Sequence, residues 1–107
     1  MNQFVNQLKN NKFVCSECLK CNKLVWPPND FCNICFGNVI WREISRTGRL
    51  IEFSKKDSAV FCIAEFEDTI RIMGKLEIGT KKLEVGNDIV LVKCDYDDKE
   101  KFFFQLK

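Results

Sequence analysis

Four cysteines arranged as two pairs are the residues whose type and spacing most directly predict chemistry in this sequence. Cys18 and Cys21 form one C-x-x-C pair, and Cys32 and Cys35 form a second pair after ten intervening residues. Two thiolates three positions apart can contact one metal ion, because the backbone between them turns and directs its N–H groups at sulfur. Two such turns complete a tetrahedral zinc site. Since all four ligands are cysteine, no coordination position is left for water, so we predict one structural Zn²⁺ per chain.

A fifth cysteine upstream offers a competing register for the first pair. Cys15 and Cys18 also have C-x-x-C spacing. The residue that follows such a pair has to tolerate a positive φ, which suits Asn22 but not Leu19. We therefore assign Cys18 and Cys21 to the metal and predict that Cys15 is a spare thiol.

The composition argues against several classes of function. The chain has 107 residues and no histidine, so Ser-His, Cys-His and His-metal catalytic arrangements cannot be built, and we expect no enzyme. No apolar run approaches the length of about 20 residues that crosses a bilayer. Five of the seven cysteines lie in residues 15–35, and no secretory signal precedes them, which favours metal binding in a cytoplasmic protein with reduced thiols. Cys62 and Cys94 lie in apolar segments and are predicted to be core residues.

One short helix and a series of strands surround the cysteine segment. In residues 2–12, Phe4, Val5 and Leu8 share a helical face, which could pack on its own domain or on a partner. The predicted strands are residues 39–44, 49–54, 59–66, 70–78, 89–94 and 102–106. Gly74 lies on the apolar face of its strand and indicates a bulge or bend. Five or six short strands indicate a small antiparallel barrel or sandwich, to which a metal would add stability.

These features resemble a family of small proteins known as domain of unknown function 35 (DUF35). The similarity rests on the Cys-Asn-Lys-Leu-Val-Trp-Pro-Pro run at residues 21–28, the second cysteine pair, Trp41 with the run at residues 45–50, and motifs at residues 72–74 and 85–90. The family usually has glycine after each C-x-x-C pair, where this chain has Asn22 and Phe36. The resemblance implies a mainly β fold: an N-terminal helix in residues 1–14, a rubredoxin-like zinc ribbon in 15–38 and a five- to six-stranded antiparallel OB-fold barrel in 39–107.

The resemblance also implies a function. Members of the family resemble non-catalytic subunits that support thiolases, hydroxymethylglutaryl-CoA synthases and related acyl-CoA enzymes. By this resemblance, the chain is an accessory or scaffold subunit that binds or bridges such an enzyme and helps to hold a CoA thioester.

The residues themselves suggest where a CoA thioester would bind. CoA carries several phosphate charges and an adenine ring, so its site needs Arg or Lys beside an aromatic face. Residues 1–56 carry a net charge of +5 and residues 57–107 a net charge of −3. We predict that side chains around one hairpin converge on the ligand, and the candidates are Trp41, Arg46, Arg49, Phe53, Lys55 and Lys56. The same pattern also describes an ordinary solvated strand face.

Two other functions compete with this interpretation. An OB-fold can bind single-stranded nucleic acid through stacked aromatic rings in a basic groove, and the chain has ten phenylalanines. However, the net charge is only +2, and most strand phenylalanines fall where a small barrel would bury them: Phe53, Phe61, Phe66, Phe102 and Phe104. A redox role for the cysteines lacks the βαβ context that a thioredoxin-like motif requires.

Overall fold

A computed structural model describes residues 3–107. Residue 2, with which the predicted N-terminal helix begins, lies outside the described residues. The elements are, in chain order, α1 (Gln3–Lys9), β1 (Val14–Cys18), β2 (Leu24–Val25), β3 (Val39–Glu43), β4 (Thr47–Lys56), β5 (Ala59–Phe66), β6 (Ile70–Glu77), β7 (Asp88–Asp97) and β8 (Lys99–Leu106).

The N-terminal helix packs on the body of the same chain. Its three apolar residues, Phe4, Val5 and Leu8, are all buried, and the helix contacts β7. Of the two alternatives that the sequence left open, packing on its own domain is therefore correct. No helix among residues 3–107 has the length and apolar character needed to cross a bilayer.

The first sheet has three antiparallel strands in the order β2-β1-β3 and carries the cysteine segment. In its central pairing, Ser16 lies opposite Trp41 and Cys18 lies opposite Val39. Residues 39–43 therefore belong to this sheet and not to the barrel, whose first strand starts at Thr47. The sequence placed the barrel boundary too early, because an apolar strand pattern does not reveal which partner forms its hydrogen bonds.

The remaining five strands close into a barrel in the order β4-β5-β6-β8-β7, with β4 also pairing with β7. This strand order is that of an OB-fold. Four of the five pairings are antiparallel, as predicted, and β6 and β8 pair in parallel where the barrel closes. The reason is topological. After the tight turn that follows β7, strand β8 runs antiparallel to β7, and it closes the barrel against the earlier strand β6, which runs in the same direction as β8.

Register shifts occur in β4 between Leu50 and Glu52 and in β7 between Leu91 and Lys93.

The bulge predicted at Gly74 is absent from the pairing of β5 with β6, where Gly74 lies opposite Cys62 in regular register. A Cβ atom on Gly74 would lie 2.5 Å from both the Phe102 carbonyl oxygen and the Phe104 ring. Glycine is therefore required there for the close approach of β8.

A cluster of aromatic rings joins the helix, the ribbon sheet and the barrel into one core. Phe13, which is 1% exposed, has its ring centroid 5.6 Å from that of Trp26, 5.1 Å from that of Phe66 and 6.1 Å from that of Phe102. Trp26 also contacts Phe4 on α1, with a centroid separation of 5.3 Å. Edge-to-face contacts of this kind stabilise by about 1 kcal/mol beyond the burial of apolar area. Trp26 is thus a packing residue.

Candidate metal centre

Each C-x-x-C pair forms the same kind of tight turn. The N–H of Asn22 donates to the Cys18 carbonyl at 3.0 Å, and the N–H of Phe36 donates to the Cys32 carbonyl, also at 3.0 Å. The φ angles are +61° at Asn22 and +59° at Phe36. The positive φ that we predicted at Asn22 is confirmed, and the second turn uses the same conformation at a phenylalanine. We call these two turns the knuckles.

The two knuckles bring four sulfur atoms together. The Sγ–Sγ distances are 3.5 Å from Cys18 to Cys35, 3.6 Å from Cys21 to Cys32 and 3.9 Å from Cys21 to Cys35. All four sulfurs lie within 4.8 Å of one another. A tetrahedral site with Zn–S bonds of about 2.3 Å requires sulfur separations of about 3.8 Å, and a disulfide bond requires about 2.05 Å. The arrangement fits a metal ion with four thiolate ligands and does not fit disulfides.

Backbone N–H groups around the sulfurs favour thiolates. The N–H of Cys21 and that of Lys20 each donate to the Cys18 sulfur at 3.4 Å. The Cys21 N–H is the largest cause that lowers the pKa of Cys18, to about 6. The backbone N–H groups of Cys35 and Ile34 lower the pKa of Cys32 in the same way. A metal ligand has to be deprotonated, so these N–H groups prepare two of the four sulfurs for binding.

The other three cysteines are core residues. Cys15, Cys62 and Cys94 are at most 2% exposed and belong to the hydrophobic core, as predicted for Cys62 and Cys94. Burial is the largest cause that raises the pKa of each of these thiols, that of Cys62 to about 11. Cys15 is not among the four sulfurs that meet. The structure therefore groups Cys18 and Cys21 with the second pair, which is the register chosen from the sequence.

The predicted ligand residues are not brought together. Arg46 donates to the carbonyl oxygens of Asn11 and Leu91, and thereby ties the end of α1 to the barrel. Arg49 lies 3.7 Å from the Glu65 carboxylate and 3.8 Å from that of Asp68. Both guanidinium groups are therefore already partnered within the chain.

The other four candidates lie elsewhere. Trp41 is on β3 in the ribbon sheet, while Phe53 is half-buried against the barrel core. Lys55 and Lys56 are exposed at the far end of β4, six and seven residues or about 20 Å along the strand from Arg49, and form no ion pair within residues 3–107. The expected convergence of these six side chains on one ligand is thus not found.

An ion pair that no sequence pattern predicts links the ribbon to the barrel. Arg42 on β3 donates to Glu17 at 3.0 Å and to both carboxylate oxygens of Glu67 at 2.7 and 3.0 Å. The hydrogen bond from Arg42 is the largest cause that lowers the pKa of Glu67. No local pattern could have found this contact, since Glu67 lies in the turn after β5, 25 residues away.

A surface cleft of about 570 Å³ opens where β6 meets β8. Its lining is mainly apolar and consists of Ser58, Ala59, Val60, Lys75, Leu76, Glu77, Ile78, Val92, Phe103 and Phe104. Lys55 pairs with Val60 and Lys56 with Ala59, so the two free lysines at the end of β4 border this cleft. Clefts of this volume are typical of small-molecule sites.

Phe61 is not buried in the barrel, contrary to the prediction. It is 39% exposed on the outer surface, where it lies opposite Lys75. Lys75 in turn pairs with Phe103, which pairs with Lys93. Because directly paired residues share a face, two phenylalanines and two lysines alternate in one row across four strands.

Comparisons with known proteins agree with this architecture. No protein-family model matches the chain. Two solved structures are similar in fold over almost the whole chain. One is described as an "Ltp2-ChsH2(DUF35) aldolase", with a TM-score of 0.72, 20% identity and coverage of 99% of this chain and 96% of that chain. The other is a DUF35 protein of unknown function from Sulfolobus solfataricus, with a TM-score of 0.69, 18% identity and coverage of 98% and 83%. The resemblance to DUF35 is thereby confirmed at the level of the fold.

One curated protein matches in sequence. It is Nuclear hormone receptor family member nhr-77 of Caenorhabditis elegans, which is 27% identical over 104 residues. The match covers 97% of this chain but 28% of that protein. The chain therefore spans little more than a quarter of the length of this relative.

Proposed function

We propose that this protein is a non-catalytic accessory subunit that binds an acyl-CoA enzyme of the thiolase or hydroxymethylglutaryl-CoA synthase type. The observation that carries the proposal is the fold match over 99% of the chain to a structure whose name joins a DUF35 chain to a second component in an aldolase. The absence of histidine from the sequence is consistent with a supporting role. None of the seven cysteines forms a disulfide, which suits a cytoplasmic location, where thiols stay reduced.

The proposal includes one structural Zn²⁺, held by Cys18, Cys21, Cys32 and Cys35. Four thiolates are the donor set that zinc prefers in closed structural sites, and the sulfur separations fit its bond length. Bound there, the ion would crosslink the two knuckles. With no open coordination position, it would not contact a substrate.

Affinity purification from the native organism tests the accessory role. A tagged chain should co-purify with an acyl-CoA enzyme at a fixed stoichiometry, and the purified subunit alone should not turn over an acyl-CoA. Thiolysis or hydrolysis by the isolated subunit, or a stable complex with an unrelated protein in place of the enzyme, would contradict the proposal.

For the CoA thioester, we propose the cleft between β6 and β8 with Lys55 and Lys56 at its edge. Among the six predicted ligand residues, these two lysines are free to bind phosphate, and they adjoin an apolar cleft that can take an acyl or pantetheine chain. Trp41 packs against the hydrophobic core instead, and Arg46 donates a hydrogen bond to the Asn11 carbonyl.

A titration of CoA into the subunit–enzyme complex distinguishes the contributions of these residues to CoA binding. The double variant Lys55→Ala, Lys56→Ala should weaken CoA binding at least fivefold, whereas Arg49→Ala, at the other end of β4, should leave it unchanged. Equal losses in both variants would favour the original cluster of six residues. No loss in either would show that these basic residues do not contact CoA and would contradict the proposed site.

Binding of single-stranded nucleic acid is the second candidate, because of the row that alternates Phe61, Lys75, Phe103 and Lys93. Aromatic rings and cations in one row suit stacked bases and phosphates. Four carboxylates crowd the nearby turn between β7 and β8, however: Asp95, Asp97, Asp98 and Glu100. A short labelled oligonucleotide should therefore bind weakly at low and moderate salt. Tight binding that falls steeply with salt would reverse the order of the two candidates.

A further inference from the structure

The exposed apolar side chains of this protein are concentrated at the knuckles. Among the described residues, nine large apolar side chains are exposed, and five of them lie between residues 19 and 40. Their exposed fractions range from 44% to 79%, and they are Leu19, Phe31, Ile34, Phe36 and Ile40. We call these five residues the knuckle surface. Together they present on the order of 500 Å² of apolar area, which is near the upper end for the largest patch on an ordinary monomer.

Backbone contacts bring together the segments that carry these residues. The N–H of Leu19 donates to the Asn38 carbonyl at 3.0 Å, and Asn38 forms a β-bridge with Phe31. A Cβ atom on Gly37 would lie 3.4 Å from the Cβ of Lys20, so the second knuckle touches the first. The five residues are therefore carried by segments that meet at a single metal centre and are not scattered over the fold.

Phe36 is the residue of this surface that the fold explains least. Its φ of +59° is the left-handed conformation, which glycine adopts freely and a bulky side chain adopts only with strain. Its side chain is 79% exposed, so burial does not offset the strain. The hydrogen bond that the knuckle needs at this position comes from the backbone N–H, which any residue except proline would supply. Strain kept at an exposed aromatic residue points to a contact outside the chain.

We propose that the knuckle surface docks on a different protein, with Phe36 inserted as an anchor into an apolar hollow bordered by carboxylates. Lys20 lies within the first knuckle and Lys23 follows it, and both are exposed and form no ion pair within residues 3–107. Two free ammonium groups beside an apolar patch complement acidic residues at the rim of a partner's hollow. The proposal rests on the proposed function for the identity of the partner, an acyl-CoA enzyme.

A second copy of the chain is a poorer occupant. In a two-fold contact each copy uses the same surface, so the ammonium groups of Lys20 and Lys23 from both copies would lie in one interface and add positive charge on both sides of it. In addition, an interface of standard size buries about 800 Å² on each side, and obligate homodimers bury more. The knuckle surface is too small for a homodimer but has the size of the apolar centre of a heteromeric interface, with a polar rim around it.

Photo-crosslinking in the native organism tests the contact directly. The photoreactive residue p-benzoylphenylalanine replaces Phe36 in one strain and Val85 in another. Val85 is a matched control because it is also apolar and 64% exposed, but it lies in the turn before β7. We expect a discrete adduct from position 36 and none from position 85.

The adduct partner, once identified and purified, is then titrated with three forms of the protein. Phe36→Gly should weaken binding at least tenfold relative to the native chain, while the thermal midpoint rises by about 3 °C because the backbone strain is relieved. Asn22→Gly changes the equivalent position of the other knuckle and should leave the affinity unchanged. A residue with only a structural role would not combine higher stability with weaker binding.

Other outcomes overturn the proposal. These are the absence of an adduct from position 36, an adduct with a second copy of the chain, and equal affinities of the native chain and Phe36→Gly. Its failure can be distinguished from that of the proposed function. If an acyl-CoA enzyme co-purifies equally with Phe36→Gly, the accessory role stands and the docking surface does not. If the adduct partner is another class of protein that loses affinity with Phe36→Gly, the docking surface stands and the accessory role does not.

Discussion

The sulfur atoms of Cys18, Cys21, Cys32 and Cys35 are close enough that each should be needed to hold a metal ion, because three thiolates leave a tetrahedral site open. We predict that serine at any one of these positions reduces the zinc content to well below one per chain and lowers the thermal midpoint by roughly 10 °C. Metal analysis of the purified variants and a thermal melt measure both effects.

Cys15→Ala is the control for this series. The thiol is fully buried in the core, so its loss should destabilise the fold by about 1 kcal/mol through a small cavity. Zinc should stay at one per chain, since Cys15 is not among the sulfurs that meet. Loss of zinc from this variant would show that the metal uses the other register.

The ion pair of Arg42 with Glu67 should make stability depend on pH. The folded state lowers the pKa of the Glu67 carboxyl below its usual 4.5, so the pair stabilises the fold above that pH and loses its effect as the pH falls through the folded value. Glu67→Gln should therefore reduce the free energy of unfolding by about 1 kcal/mol at pH 7, since both side chains are partly screened by solvent.

Thermal melts from pH 7 to pH 3 test the direction of this pH dependence of stability. The difference between the native chain and Glu67→Gln should shrink towards zero as the carboxyl becomes protonated. Asp68→Asn is the matched control, because Asp68 is 92% exposed and should show little difference at any pH. A difference that grows at low pH would contradict the assignment.

Strand β6 depends on a glycine for its packing against β8. A methyl group on Gly74 would lie 2.5 Å from the Phe102 carbonyl oxygen, which as a backbone atom cannot move away easily. We predict that Gly74→Ala lowers the free energy of unfolding by about 2 to 3 kcal/mol. Denaturant titration with Gly79→Ala as the comparison tests this, since Gly79 faces open space and its positive φ alone should account for a loss of about 1 kcal/mol. A smaller loss of unfolding free energy for Gly74→Ala than for Gly79→Ala would be inconsistent with the close approach of β8.

The ribbon sheet and the barrel should respond differently to removal of the metal. The ribbon strands have five, two and five residues, whereas the barrel strands have eight to ten and enclose most of the core. A sheet this small has little apolar burial of its own and depends on the crosslink. We predict that a chelator exposes the amides of residues 18–38 to hydrogen exchange while those of β5 and β6 stay protected. Simultaneous loss of protection in both parts would show that the metal supports the whole molecule.

The sequence alone determined the features that depend on local patterns. The spacing of the two C-x-x-C pairs and the tolerance of Asn22 for positive φ identified which four sulfurs meet, because a knuckle is built within a few residues. Period-two and continuous apolar patterns located the barrel strands to within a few residues, and the apolar face of α1 was correct because all three of its residues are buried.

The tertiary structure decided everything that depends on which distant segments meet. Pairing with β1 places β3 in the ribbon sheet, and the return of β8 to β6 produces the parallel junction and its cleft. Long-range contacts also separate the basic residues of β4. Arg49 meets Glu65 and Asp68, while Lys55 and Lys56 remain free at the other end of the strand. Composition and spacing give the number and order of charges along the chain, but folding alone determines which charges are neutralised within it and which remain for a partner.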